Sequence, residues 1–189
     1  MPRLPYKSDE DAGPAEIVAA IRERRGGRLL NLDRQLLYSP QLALGWNALM
    51  GAVRTRLDLP DALREIAICT VATINRAPYE FHHHAPLLRA AGASAAQVEA
   101  LGDVDRALAT PDLFDAAERA TIRLALEMTR SVEVGETTFA AARQALGDDR
   151  HLVELIGTIA AYNMVSRVIV ALGIDPEQAR PVAPDAGSS

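Results

Sequence analysis

Nowhere in the chain do apolar and polar residues alternate with period two over the length of a strand. Apolar residues recur instead at spacings of three and four, the signature of helices with one buried face. Alanine, leucine and arginine are abundant and aromatic residues make up 4% of the chain; the first three favour helix. The sequence therefore reads as all-α, and its punctuation divides it. Ile17, Val18 and Ile21 share a face within a helix over 14–25, which Gly26-Gly27 ends, as glycine does beyond a C-cap. Ser39-Pro40 opens a helix to about residue 57, with proline at the first helical position. Further helices are expected over 61–75, 78–91, 94–101, 115–130, 136–146 and, very apolar, 150–172. Ser94 and Gln97 have the spacing of a capping box.

A length of 189 residues suggests one domain, here 14–180, with an N-terminal arm over 1–13 and a disordered tail over 181–189. Hydrophobic residues at 49% and charged residues at 24% suffice for a full core. A net charge of −5 speaks against a nucleic-acid partner, since phosphate binding needs a basic footprint. No apolar run reaches the roughly 18 residues of a membrane span, and the first residues lack the apolar core of a leader. The expectation is a cytoplasmic protein with no membrane partner. Cys69 is the single cysteine, so an intrachain disulfide and a two-thiol redox cycle within one chain are both excluded.

The chemistry concentrates in 61–91. In "DALREIAICTVATIN" positions 62, 65, 69 and 72 share one face. They set Glu65 on a stripe of Ala, Cys and Ala, where burial would raise a carboxyl pKa and make a proton carrier. A carboxylate near a helix N-terminus also suits the dipole with no further role. In "YEFHHHAPLLRAA" three consecutive histidines lie about 100° apart around the helix and cannot converge on one site. His84 is the i+4 partner of Glu80 and lies above Leu87 and Leu88; His83 is at the edge of that face; His82 looks outward. Glu65, Glu80 and His84 could together hold a metal, but E-x-x-x-H alone is a weak ligand pattern. Neither metal nor cofactor is expected.

The segments "LDRQLLYSPQLALGWNALM", "REIAICTVATINRAPYEFHHHAPLLRAAG" and "YNMVSRVIVALGI" together resemble the carboxymuconolactone decarboxylase and AhpD-like (alkylhydroperoxidase) superfamily. AhpD-like members carry a glutamate, then C-x-x-C, then a histidine. Glu65 matches the glutamate and His84 the histidine, while Ala77 and Glu80 fall where the two cysteines would be. A subgroup with the pattern C-E-Y-E-W-x-H-H-x-P is matched at Tyr79, Glu80, Phe81, His83, His84 and Pro86. Ala77 can neither attack a peroxide nor resolve a sulfenic acid.

The resemblance implies an all-α fold with a central helical hairpin, assembled as a homotrimer or homohexamer. With the thiols gone it points to the redox-free decarboxylase branch. The leading reading is thus a lyase or isomerase acting on a small, anionic, carboxylated and cyclic substrate. His84 is the general acid/base, oriented by Glu65 and Glu80. Arg167 and Arg76 are candidate partners for the substrate carboxylate, with Arg64 behind them; Tyr79, His83 and Cys69 are expected to line the same pocket. Two alternatives stand beside it: a peroxidase-related protein using Cys69 or having only vestigial activity, and a non-catalytic oligomer that binds a small acid or a metal.

Overall fold

The computed structural model describes residues 2–110 and 112–177. Among these there are ten helices and no strand: α1 Ala15–Arg24, α2 Asn31–Leu36, α3 Pro40–Thr55, α4 Asp61–Ile74, α5 Pro78–Ala90, α6 Ala95–Ala100, α7 Val104–Leu108, α8 Ala116–Arg130, α9 Glu136–Leu146 and α10 Asp149–Leu172. The eight helices expected from the sequence are present. Two short ones, α2 and α7, escape periodicity because five or six residues scarcely complete one repeat of it. Local chemistry explains them: Asp33 accepts from the Leu30 N–H at 3.0 Å, and Asp103 accepts from the Arg106 N–H at 3.1 Å, each satisfying a donor at its helix start. Ser94 and Gln97 form the expected reciprocal box, at 3.1 and 2.8 Å. Ser39 and Pro40 occupy N-cap and N1 as read, but the serine hydroxyl makes no capping bond.

The centre of the molecule is α4. It packs against α5, α8 and α10, and every residue from Glu65 to Ala72 is buried. A helix surrounded on all sides must be apolar on all sides, which is why "EIAICTVA" shows so little amphipathic pattern. One core gathers α1, α2, α3, α10 and one side of α4; a second gathers Ile66, Cys69, Leu88, Leu101, Phe114 and Ile122 on the other side. The helix α10 corrects the sequence reading on one point: by length and composition alone it could cross a membrane. Its buried residues, Leu152, Leu155, Ile159, Tyr162, Val165 and Ile169 among them, place it instead as a core helix of this bundle.

The N-terminal residues are irregular and lie against the body. Gln35 donates to the Leu4 carbonyl, Tyr38 to that of Pro5, and the Arg3 N–H bonds the Leu172 carbonyl at 2.9 Å. The expected tail over 181–189 lies outside the described residues.

Between α4 and α5 the chain reverses through Asn75, Arg76 and Ala77. Arg76 has φ +53°, the left-handed conformation in which a helix commonly ends but which glycine adopts with less strain. The Ala77 N–H closes the turn on the Ala72 carbonyl at 2.8 Å. Asn75 donates to the Asn163 side chain at 3.0 Å, and Asn163 donates to Thr129 at 3.0 Å. The hairpin tip is thereby fastened to α10 and α8.

Candidate active site

The three histidines separate as helical geometry requires. His82 is exposed, His83 half-buried and His84 buried. His84 lies at the meeting of α4, α5 and α10. Its Nδ1 is 2.6 Å from Glu65 Oε2, and its Nε2 is 3.2 Å from the Tyr162 hydroxyl. A carboxylate only accepts, so Nδ1 carries the proton and Nε2 is left to accept from the tyrosine O–H. The second oxygen of Glu65 accepts from Arg64 Nε at 3.3 Å, and Arg64 also pairs with Asp61 at 2.8 Å. Tyr162, His84, Glu65 and Arg64 thus form a chain of contacts running from a cavity wall to the protein surface. Burial pushes the imidazole pKa down despite the opposing effect of Glu65, so His84 is neutral at pH 7.

Glu80 behaves differently from the sequence expectation that it orients His84. It faces α10, where the Ser166 hydroxyl donates to its Oε2. Its Oε1 is buried and has no hydrogen-bond partner among the described residues. Burial drives the carboxyl pKa up to about 8, the Ser166 bond opposing it. The i,i+4 spacing brings Glu80 and His84 to one face; what it cannot show is that α10 supplies a separate partner to each. Tyr162 and Ser166, themselves i,i+4, are those partners.

Glu80 and His84 both line a cavity of about 350 Å³, at the low end of small-molecule sites. Tyr79, His83, Leu87 and Tyr162 complete that side. The opposite side is formed by Arg24, Arg25 and Arg28 at and beyond the end of α1, and by Trp46, Met50 and Arg54 on α3. His83 stands 2.8 Å from Glu177, which also accepts from the Tyr79 hydroxyl at 2.9 Å and the Asn31 N–H at 2.7 Å.

Several residues expected at the site are elsewhere. Arg76 is exposed at the hairpin tip and does not line the cavity. Arg167 is also exposed and donates to the Asn163 carbonyl and side chain at 2.8 and 2.6 Å. It sits one residue past Ser166, about 100° around α10 and off the cavity face. Cys69 is fully buried in the second core and does not line the cavity; burial, with Glu65 and Glu80 nearby, pushes its thiol pKa up. A protonated, enclosed thiol is a poor nucleophile. Tyr79 and His83 line the cavity. Sequence reasoning missed Tyr162, Arg24 and Arg54. For Tyr162 a signal existed: the i,i+4 pair with Ser166 on an apolar helix. No group of three potential metal ligands converges among the described residues.

Residues 40–127 match the model of the carboxymuconolactone decarboxylase family. They carry α4, α5, Glu65, Glu80 and His84. That match spans 88 of the 189 residues, just under half of the chain, and agrees with the resemblance read from the sequence. No curated protein matches it in sequence. Solved structures share its fold across nearly the whole length. A peroxidase-related protein from Silicibacter sp. TM1040 superposes with a TM-score of 0.75 at 22% identity, covering 93% of this chain and 94% of that one. An AhpD-core, peroxidase-related protein from Ralstonia eutropha JMP134 gives 0.78 at 20% identity, covering 93% and 92%. A cysteine-to-alanine variant of the debrominase Bmp8, in complex with 2,3,4-tribromopyrrole, gives 0.73 at 18% identity, covering 94% of each chain. At these identities the likeness is one of fold, and neighbours with different chemistries share it.

Proposed function

We propose that this protein is a redox-free lyase or isomerase that moves protons on a small carboxylated, cyclic substrate. The observation that carries the reading is an inverted pair in one cavity. The carboxyl of Glu80 holds its proton at neutral pH, while the imidazole of His84 lacks one. Groups whose environments reverse their ordinary order are suited to act as acid and base at the same pH. Glu80 has an oxygen without a partner beside the cavity, and His84 reaches the cavity through the Tyr162 hydroxyl. The enclosed Cys69 and the alanine at position 77 lend no support to thiol chemistry.

In an isomerisation, a proton leaves a carbon next to the substrate carboxylate and passes by way of the Tyr162 hydroxyl to His84 Nε2. The imidazolium is stabilised by Glu65 across 2.6 Å. Glu80 delivers its own proton to a second carbon of the delocalised anion, and water restores both groups. In a decarboxylation the bond to the carboxylate breaks, CO₂ departs, and the electron pair remains on the ring carbon. Glu80 protonates that carbon and is reprotonated from water. Glu65 does not line the cavity and is a positioning residue. That a protein of this fold binds a small conjugated ring, 2,3,4-tribromopyrrole, supports a cyclic substrate.

The test is incubation in D₂O with a panel of small unsaturated cyclic carboxylates, followed by proton NMR and CO₂ release. The native protein is expected to exchange hydrogen at, or decarboxylate, at least one member, and H84A and E80Q to lose that activity. Full activity in either variant would refute the assignment. We also propose, on the same family grounds, a cytoplasmic homotrimer or homohexamer. Exposed Leu42, Leu44 and Leu49 on α3 and Val153 and Val170 on α10 support an assembly, and light scattering on the purified protein tests it.

A further inference from the structure

The arginines facing Glu80 and His84 differ in how their charge is met. Arg25 pairs with the buried Asp33 at 3.1 Å. Arg24 is 3.6 Å from the same carboxylate and donates through Nε to Asn47; its Nη2 is buried with no hydrogen-bond partner. One carboxylate is thus shared by two guanidinium groups. Arg54, in the last turn of α3, is partly buried on the cavity wall and has no hydrogen bond or ion pair with any described residue. The other acids near the cavity do not meet it. Glu177 is taken by Tyr79, His83 and Asn31, and Glu80 by Ser166. A partly desolvated arginine without an anion is costly unless a ligand supplies one. Burial and the neighbouring Arg25 and Arg54 hold the Arg24 guanidinium at about 10, below its ordinary value, as a site short of negative charge requires.

We infer that Arg54, with Arg24 beside it, is the anion subsite of this cavity and selects ligands by a carboxylate group. Guanidinium groups match a carboxylate with two parallel donors. Arg54 lines the same cavity as His84 and Tyr162, so a carboxylate held by it shares that cavity with the proton-transfer groups. The rest of the ligand meets Trp46, Met50, Leu30, Val165 and Ile169, an apolar lining suited to a flat ring. The substrate class that fits is a small cyclic carboxylate with few other polar groups. This rests on the proton-transfer reading for what happens to the ligand, and not for its binding.

Trp46 is the single tryptophan of the chain and lines the cavity, so its fluorescence reports occupancy. Benzoate serves as the probe and benzamide as its neutral counterpart. Benzoate is expected to perturb the Trp46 emission and to bind at least tenfold more tightly than benzamide. R54Q should lose that preference while keeping the weaker benzamide binding, and R54K should recover part of it. On the native protein, benzoate should also protect Arg54 from phenylglyoxal in peptide mapping, independently of how any variant folds. Equal binding of benzoate and benzamide, no response to benzoate, an unchanged preference in folded R54Q, or no protection of Arg54 would each overturn the inference. Charge-selective binding without turnover would leave the subsite standing and remove the lyase reading. Turnover with a native-like R54Q would do the reverse.

Discussion

The two walls of the cavity are built on opposite principles. The α5–α10 wall, backed by α4, is mostly buried, and most of its polar atoms are matched: His84 with Tyr162 and with Glu65 behind it, Glu80 with Ser166. The α1–α3 wall is partly exposed and its charges outnumber their partners, with Asp33 serving two arginines and Arg54 served by none. Enclosure with internal partners fixes proton positions before a ligand arrives. Unmatched charge at the opening waits for a ligand to complete it. The first arrangement serves chemistry, the second recognition, and the two should respond differently to mutation.

The largest effect is expected on the matched wall. H84A should lower turnover in the deuterium-exchange or decarboxylation assay by about 10²–10⁴, the usual worth of a general acid–base group, with the helical circular dichroism retained. E80Q should lose about as much turnover and also change stability with pH. The folded-state pKa of Glu80 is raised, so its contribution is fully present below the unfolded value near 4.5 and is lost as pH rises toward 8. E80Q has no such ramp. Relative to the native protein, its stability in urea titrations should therefore increase by roughly 2–4 kcal/mol between pH 5 and pH 9. His84 has the opposite sign. Its folded pKa is lowered, so the native protein should lose stability as pH falls below about 6.5.

On the recognition wall R54Q should act on KM, and on kcat far less, about tenfold for a carboxylate substrate. A variant that loses kcat and spares KM would break the division between the walls. Smaller still is R76G. Arg76 lies outside both walls and holds a left-handed backbone conformation, so glycine there should leave turnover unchanged and raise stability by about 0.5–1 kcal/mol. Equal stability would mean that the greater unfolded-state freedom of glycine cancels the relief.

The same contrast explains what is legible in the sequence. Helices α4 and α5 are adjacent in the chain and their functional residues repeat at helical spacing, so Glu65, Glu80 and His84 stand out from the residue pattern alone. Their partners on α10 do not, because Tyr162 and Ser166 reach the site through a contact some eighty residues distant in sequence. Arg54 and Arg24 are invisible for another reason. In sequence an arginine in the last turn of a helix is the ordinary complement to the dipole, and only the absence of a partner in three dimensions distinguishes Arg54. Arg167 misleads in the opposite way: polar residues on an apolar helix point to a site, but Asn163 and Arg167 face the hairpin fastening while Tyr162 and Ser166 face the cavity. The fold is legible wherever helices are long enough to show period; α2 and α7, held by single side-chain caps, are not.

Whether Glu80 and His84 are an inverted pair can be measured without a substrate. Carbon-13 NMR of the Glu80 carboxyl, assigned by its loss in E80Q, together with nitrogen-15 shifts of His84, gives both titrations in the native protein. The account predicts a carboxyl that stays protonated through neutrality with a midpoint near 8, and an imidazole that is neutral over the same range. A Glu80 midpoint at the ordinary carboxylate value near 4.3, or a His84 ring cationic at pH 7, would contradict it.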